Sequence, residues 1–561
     1  MIDTILVKVI DLYTQTPIQD AFVKSSINYA YTDSLGIAKI LLNRENRIVY
    51  VSHLNYHEKY IEVPMELKEI DVALEYKDYI LNEIVVSSPY EFSDKPQSII
   101  KKLDIYITPG SAADVFRVIK DLPSSSGIED VGILEVRGGK YYENVILVNN
   151  VRIVSPFIEQ TPAGGLFSFI RTDFIKKVDF YPGGLPSNFG GGTSAINIEL
   201  EDNIENNSFG IGIGHIDLSL KFLNSAVAYN YSNPILLYKL NGFKDVGFSD
   251  YPSIHNFQIF SPNFYNFIGF FVNEFYTQEN FRYNSNKYGF LLKRRINLSS
   301  LSFGITNDKS NIGKFQKFES ILNTNFVNYF NEIAVGIEGT YRKFSYSYDT
   351  LYRKSKNNLI GSVYSIFDFE IYKIKANPSF RFDITEHLYF QPRLNLSYNN
   401  FRFSSGYYYI YYEFERAYDF DIGYDVEFRD FDIKSDIFYK KYVDSLYEVH
   451  GFELLIKNKS EPMFFSYSLY KKNNIEHSIG FSYSYFYRDF QIGTKLKFST
   501  ENYFRVDLRL SKVGFNKNND LFGIYVETLN ITNRENLIDV GNNRKIKLIP
   551  RTTYIGLFYV F

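Results

Sequence analysis

The sequence predicts an all-β dominated protein, an antiparallel transmembrane β-barrel of about 22 strands closed by an α+β plug and preceded by a small β-sandwich. Three observations predict it. From about residue 205 onward, large apolar residues alternate with charged ones at a period of two. Between about 138 and 192, glycines cluster as in a compact unit that must fit inside something else. The chain also holds 52 Phe and 49 Tyr but no Trp, a supply of rings suited to strands with one greasy face.

The first 78 or so residues read as the sandwich. Val7 and Val9 alternate with polar neighbours, and Thr16-Pro17 and Asp33-Ser34-Leu35-Gly36 supply turns. From 79 to 88 the chain reads as a linker, and from 89 to 204 as the plug. Within the plug, Ser111 to Lys120 has helical spacing, with Val115, Val118 and Ile119 on one side. The glycines at 138–139, 164–165, 183–184 and 190–192 form no phosphate cradle, because no Walker lysine follows and no dinucleotide spacing is present.

The barrel is assigned to 205–561. Tyr418, Phe420, Ile422, Tyr424, Val426 and Phe428 share one face, and Asp419, Asp421, Asp425, Glu427 and Arg429 the other. The phase flips at Asp430, which predicts a hairpin with a very short turn. Phe380, Phe382 and Ile384 answer Leu388, Phe390, Leu394 and Leu396 across a turn near Glu386. Phe504, Val506, Leu508 and Leu510 alternate with Arg505, Asp507 and Arg509. A strand between lipid and a wet lumen requires this pattern, whereas a soluble repeat sheet seldom needs so many aromatics on its covered face. Thr553, Ile555, Leu557, Tyr559 and Phe561 alternate to the last residue, which resembles the closing strand recognised when outer-membrane barrels are assembled, with Phe561 as the candidate barrel-closing signal.

Composition sets further bounds. Hydrophobic residues make up 45% and charged residues 22%, so the chain folds rather than staying disordered. A net charge of -3 offers no electrostatic footprint for nucleic acid. No cysteine is present, which removes thiol catalysis, disulfides and thiolate metal sites. No apolar run is long enough for a transmembrane helix, so a membrane location requires a closed barrel. Met1-Ile2-Asp3-Thr4 lacks the features of a signal peptide, which reads as a mature start with an added Met before the other reading, a chain that is not exported.

Two stretches resemble known families. Val7-x-Val9-x-Asp11, Thr14, Pro17-Ile18, Ala21-x-Val23 and Thr32-Asp33-x-x-Gly36 resemble the carboxypeptidase-like regulatory domain, a non-catalytic β-sandwich. Asp114-Val115-Phe116-Arg117 with Leu122-Pro123, Val136-Arg137-Gly138-Gly139, Asn144 to Asn150, Phe174 to Gly184, and Phe189-Gly190-Gly191 resemble the plug of TonB-dependent receptors. That family usually has Asp-Gly where this chain has Asn149-Asn150, and Asn tolerates the positive φ of such a turn.

The resemblance implies an outer-membrane receptor in a Gram-negative-type envelope, with its N-terminal domain in the periplasm. Its partners would be outer-membrane lipid, a TonB-type energy-transducing protein and a small-molecule or oligomeric nutrient such as a siderophore, vitamin or glycan. It implies a monomeric barrel, with an accessory surface lipoprotein as a further partner, and no enzyme, cofactor or metal site. Glu83, Ile84, Val85, Val86 and Ser87 resemble the stretch that engages TonB by strand addition, and an interdomain linker is the other reading. Arg137, Gly138, Gly139, Asn144, Gly183, Gly184, Gly190 and Gly191 read as plug structure, with Arg137 paired to a carboxylate on the wall. A non-transporting surface receptor or structural barrel is the alternative function.

Strand number constrains the loops. The barrel region has 561 - 204 = 357 residues, about 16 per strand for 22 strands. Membrane strands take about 9–11, leaving about six per connection and a shallow mouth. Asp419, Asp421, Asp425 and Glu427 form an acidic ladder expected to face the lumen, read as wall–plug pairing before a cation path. Lys293-Arg294-Arg295 is expected at a strand end near headgroups. Tyr407 to Tyr409 and Tyr411-Tyr412 have two readings, stacking on a ligand or membrane girdle.

Overall fold

The computed structural model describes residues 2–560 apart from 12–16, 19–20, 34, 44–46, 54–55, 66, 75–97, 126–133, 159–166, 205–206, 214, 234, 236–238, 240–247, 264, 279–280, 349–351, 446, 459–461, 473, 488–489, 501–502, 516–520, 540–544 and 548–550. The candidate coupling residues Glu83, Ile84, Val85, Val86 and Ser87 lie outside the described residues, as does Phe561. The chain divides into two compact units, Met1–Glu91 and Phe92–Phe561. Plug and barrel, separate regions by sequence pattern, therefore form a single unit.

In the first unit, Ile2–Asp11 pairs with Ile37–Asn43 and Glu69–Leu74 in one sheet. Phe22–Lys24 pairs with Tyr29–Tyr31 and Ile48–His53 in a second sheet, which Tyr56–Glu62 completes. The alternation supplies the core between them, since Val7, Val9, Val23, Ile40, Leu42, Val49 and Val51 are all buried. Gly36 makes the turn at φ 75°, where a side chain would press on the Val9 carbonyl.

The second unit is a closed antiparallel barrel. It contains 23 strand segments, of which Tyr352–Phe367 and Phe369–Ile371 both pair with Ile374–Ile384. These two are one strand broken at Asp368, so the described residues form 23 - 1 = 22 strands. Closure joins Ser208–Gly212 to Thr552–Val560, leaving no free sheet edge. The hairpin expected near Arg429-Asp430 is present, with Phe428 opposite Phe431 and Arg429 at φ 53°. Every connection between barrel strands has five residues or fewer, except 233–247 and 530–551. The shallow rim follows from the length of the chain.

Faces follow the alternation. Tyr418, Phe420, Ile422 and Tyr424 are exposed on the outer surface, while Asp419 and Asp421 are buried within. The same holds for Phe380, Phe382, Phe390 and Leu388 outside against Arg381, Asp383, Gln391 and Arg393 inside. A belt of aromatic and aliphatic side chains is exposed around the outside. The inner wall is polar but covered, because the plug fills it.

The plug is a five-stranded sheet in the order Val151–Arg152, Asn144–Val148, Ser194–Leu200, Ile175–Tyr181, Ser98–Lys101. Its helices, Lys102–Ile107 and Val115–Ile119, are short. The helical spacing of 111–120 thus yields a helix only over its second half. Asp114 caps that helix, accepting from Phe116 N at 3.0 Å and Arg117 N at 3.2 Å. Asn149 and Asn150 take φ of 51° and 64°, so the turn survives the loss of Asp-Gly.

Candidate functional site

The strand Glu415–Phe428 carries the acidic ladder, and the lumen-facing period places alternate carboxylates under the plug. Arg137 reaches it from a turn at φ 52°. Its Nη1 meets Asp421 Oδ1 at 2.5 Å and its Nη2 meets Glu453 Oε2 at 3.2 Å, while Ser124 Oγ donates to the same Glu453 oxygen at 3.0 Å. The guanidinium also lies 4.9 Å from the Phe438 ring centre. Gly183 passes so close that a Cβ would sit 2.5 Å from Arg137 Nη1 and 2.6 Å from Asp421 Oδ2. A side chain there would have to push the Arg137–Asp421 pair aside.

The ladder is not one functional unit. Asp419 is buried beside Asp421, whereas Asp425 pairs at 2.7 Å with Arg402 of the neighbouring strand, away from the plug. Glu427 is exposed near the hairpin turn. Next to Arg137, Lys440 donates to Thr193 Oγ1 at 3.0 Å and pairs with Glu143 at 3.5 Å. Asn144 opens the plug strand and donates to Tyr141 O at 3.0 Å. Gly138 packs on Tyr470 and Gly139 on Glu143.

A second contact was not legible from sequence. Arg393 Nη1 donates to Pro186 O at 2.6 Å and Phe189 O at 2.8 Å, and Arg381 Nη1 donates to Ser187 O at 3.1 Å. Arg381 is neutralised by Glu338 at 2.6 Å and Asp383 at 2.7 Å. Gly184, Gly190 and Gly191 lie against Ser404, Arg381 and Tyr411 in turn. The signal available was the charge on the lumen face of 380–393, but no spacing tells that its partner is a carbonyl 200 residues away.

The third element is a patch of rings and cations at the rim that carries the connection 411–414. Tyr142 of the plug stacks on Tyr412 at 5.2 Å, and Tyr141 meets Tyr142 edge-on at 5.4 Å. Arg342 lies 4.4 Å over the Tyr412 ring and donates to Glu319 at 2.5 Å through Nη2. Lys317 sits 6.0 Å over Phe344. Lys140 pairs with Glu415 at 2.7 Å. Burial pushes the Tyr412 hydroxyl up to about 12, so it remains a neutral phenol. Lys317 and Arg342 share Glu319 at 3.2 and 2.5 Å, so the cations are matched and the flat rings are what can hold a planar or sugar-like solute.

The tyrosine run divides accordingly. Tyr408, Tyr409 and Tyr411 are buried, and Tyr408 and Tyr411 pack against the plug, which excludes girdle duty for them. Tyr407 instead meets Tyr418 at 5.0 Å on the outer face. Arg294 stands at the end of Phe281–Ile296 and lies 4.5 Å over the Tyr265 ring.

No family model matches this sequence, and no curated protein matches it. Solved structures do match in shape. The chain is similar to the outer membrane transporter YddB from Escherichia coli, with TM-score 0.61 and 10% identity, covering 82% of this chain and 98% of that one. It is similar to the siderophore receptor PirA from Pseudomonas aeruginosa, with TM-score 0.60 and 12% identity over 83% and 99%. It is also similar to the ferric-catecholate import receptor Fiu from E. coli K12, with TM-score 0.60 and 12% identity over 83% and 96%. At such identities the likeness is one of fold, and the fold is a 22-strand antiparallel barrel filled by a plug.

Proposed function

We propose that the chain is an outer-membrane receptor of the TonB-dependent kind that takes up a scarce nutrient into the periplasm. The observation that carries this reading is the filled lumen. A barrel of this strand number is wide enough for a pore, yet buried ion pairs and carbonyl clasps hold a folded plug inside it. Such a barrel passes nothing unless work displaces the plug. The exposed aromatic belt supports residence in lipid, and the N-terminal sandwich would then lie in the periplasm as the first module before the coupling stretch.

The rim patch of Tyr141, Tyr142, Tyr412, Phe344, Arg342 and Lys317 is the proposed ligand seat. Its stacked rings favour a ring-bearing solute, such as an aromatic chelate or a sugar, over an aliphatic one. The short connections leave much of the patch uncovered, which leaves room for an accessory surface lipoprotein over a monomeric barrel. Glu83 to Ser87 remain the proposed point at which a TonB-type protein adds a strand.

The test is uptake. Residues 81–87 are deleted in the full chain, and a deletion strain is supplied with defined iron, vitamin and glycan sources. Loss of growth on one source with surface binding retained is the expected result. Unchanged uptake sinks coupling through this stretch, and binding without energised uptake in the intact protein favours the non-transporting receptor.

A further inference from the structure

One wall strand is unequal on its two sides. Tyr352–Phe367 pairs along its whole length with Ile333–Tyr348, from Tyr348 opposite Tyr352 to Ile333 opposite Phe367. On its other side, pairing with Ile374–Ile384 begins only at Gly361, opposite Ile384. The neighbouring hairpin turns back at 385–387, so 361 - 352 = 9 residues of the taller strand rise beyond it with one side open. Among the described residues, nothing else hydrogen-bonds the backbone of 352–360. In an antiparallel strand every second residue turns both its N–H and its C=O to the same side, so alternate residues here present both groups to the gap. Arg353 to Asn357 are exposed along it.

The edge is basic. It carries Arg353, Lys354 and Lys356, and 352–360 contains no Asp or Glu. Glu413 and Glu386 act on Lys356 from the facing turns, but Lys356 rests 3.6 Å over the Phe414 ring and makes no ion pair among the described residues. Leu359, 72% exposed, adds an apolar foothold on the outer face. A row of unpaired backbone donors and acceptors is a template for another strand. Cations along it hold off a second copy of the same edge, since like charges oppose across paired strands. Toward a strand that bears carboxylates, the same side chains attract.

We propose that this edge receives an extended acidic segment of a partner protein at the cell surface, added to the wall as a strand beside 352–360. This rests on the outer-membrane reading, which puts the 411–414 rim outside. The period of two sets the match. Lys354 and Lys356 share one face, so carboxylates at alternate positions of the added strand lie beside them, while its other face covers Leu359. Backbone hydrogen bonds supply affinity and the alternate acids supply selection. The added strand also raises the low side of the rim beside Phe414, next to the proposed ligand seat.

The test measures binding of a fluorescein-labelled peptide of alternating Glu and Thr, as long as the open edge, to the full chain in phosphatidylcholine nanodiscs. Two further peptides separate the causes. One is N-methylated throughout, which keeps the charges but leaves no backbone N–H to donate, and the other has Lys in place of Glu. The acidic peptide is expected to bind about tenfold or more tighter than either. Arg353→Glu with Lys354→Glu and Lys356→Glu should cost the acidic peptide about tenfold or more and turn the preference toward the Lys peptide. Lys441→Glu, which replaces an exposed cation on Phe431–Tyr442, should change nothing. With Asn357→Cys as the chain's single thiol, a bromoacetyl group on the acidic peptide should label the chain, whereas Lys441→Cys should stay unlabelled. Equal binding of the N-methylated peptide means adsorption by charge alone and overturns the proposal. So does a reversed-charge variant with a heat-modifiable barrel that binds as tightly, or a wild-type chain whose dimers the reversal abolishes. No nutrient or energised membrane enters the assay. Failure here therefore leaves the uptake reading standing, and a chain that never transports can still bind the peptide.

Discussion

The plug touches two walls of opposite chemistry. Toward strands Ser225–Ser232 to Phe281–Ile296 the contact is greasy. Phe169 stacks on Phe270 at 4.5 Å, Phe174 meets Phe260 at 5.1 Å, and Ile254, Ile268 and Val272 complete the cluster. Toward strands Ile374–Ile384 to Leu521–Leu529 it is ionic, through Arg381, Arg393, Arg137, Lys440 and the Lys495–Asp121 pair at 2.5 Å. Apolar burial is non-directional and tolerates small shifts. A buried ion pair does not, since a displaced partner leaves a charge without solvent. The greasy wall therefore gives adhesion and the charged wall gives position.

The comparison can be broken most directly at Arg137. Arg137→Ala should lower plug stability by about 3–5 kcal/mol, because Asp421 and Glu453 are left buried and unmatched. The measurement is protease protection of the plug against urea, with heat-modifiable mobility reporting the barrel. Adding Asp421→Asn and Glu453→Gln should restore much of the loss. If the triple variant is as weak as the single one, the charges are not the cause.

On the greasy wall, Ile268→Ala should cost about 2–5 kcal/mol by leaving a cavity, and that cost should not change with salt. A marked salt response there would erase the distinction between the walls. A smaller effect is expected where neither wall acts. Asn150→Val forces a β-branched residue to φ 64° and should cost about 1–2 kcal/mol in the same assay. Smallest is the exposed rim pair Arg416–Asp444 at 2.5 Å, where Asp444→Ala should cost under about 1 kcal/mol and nothing measurable at high salt.

Legibility in sequence followed the range of the interaction. The alternation at 418–429 fixes which residues face lipid, and the structure has Tyr418, Phe420, Ile422 and Tyr424 outside as that period requires. Arg137 could be expected to seek a carboxylate, and it does. The same ladder did not reveal that Asp419 and Asp421 lie under the plug while Asp425 turns to Arg402. Nor did the tyrosine run reveal that Tyr408 and Tyr411 face inward, because a run of like residues has no polar partner to mark its faces.

What the sequence determined by itself was the class of every layer. Period two with charge on one face, glycine clusters and a limited residue count leave a short-looped barrel, a plug and a small sandwich as the consistent arrangement. Those are local or additive properties, carried by each residue and its immediate neighbours. The tertiary structure alone decided which wall holds the plug and which carbonyls Arg381 and Arg393 clasp. Each depends on the rotation of one folded body inside another, and that angle is set by the sum of weak contacts hundreds of residues apart rather than by any pattern along the chain.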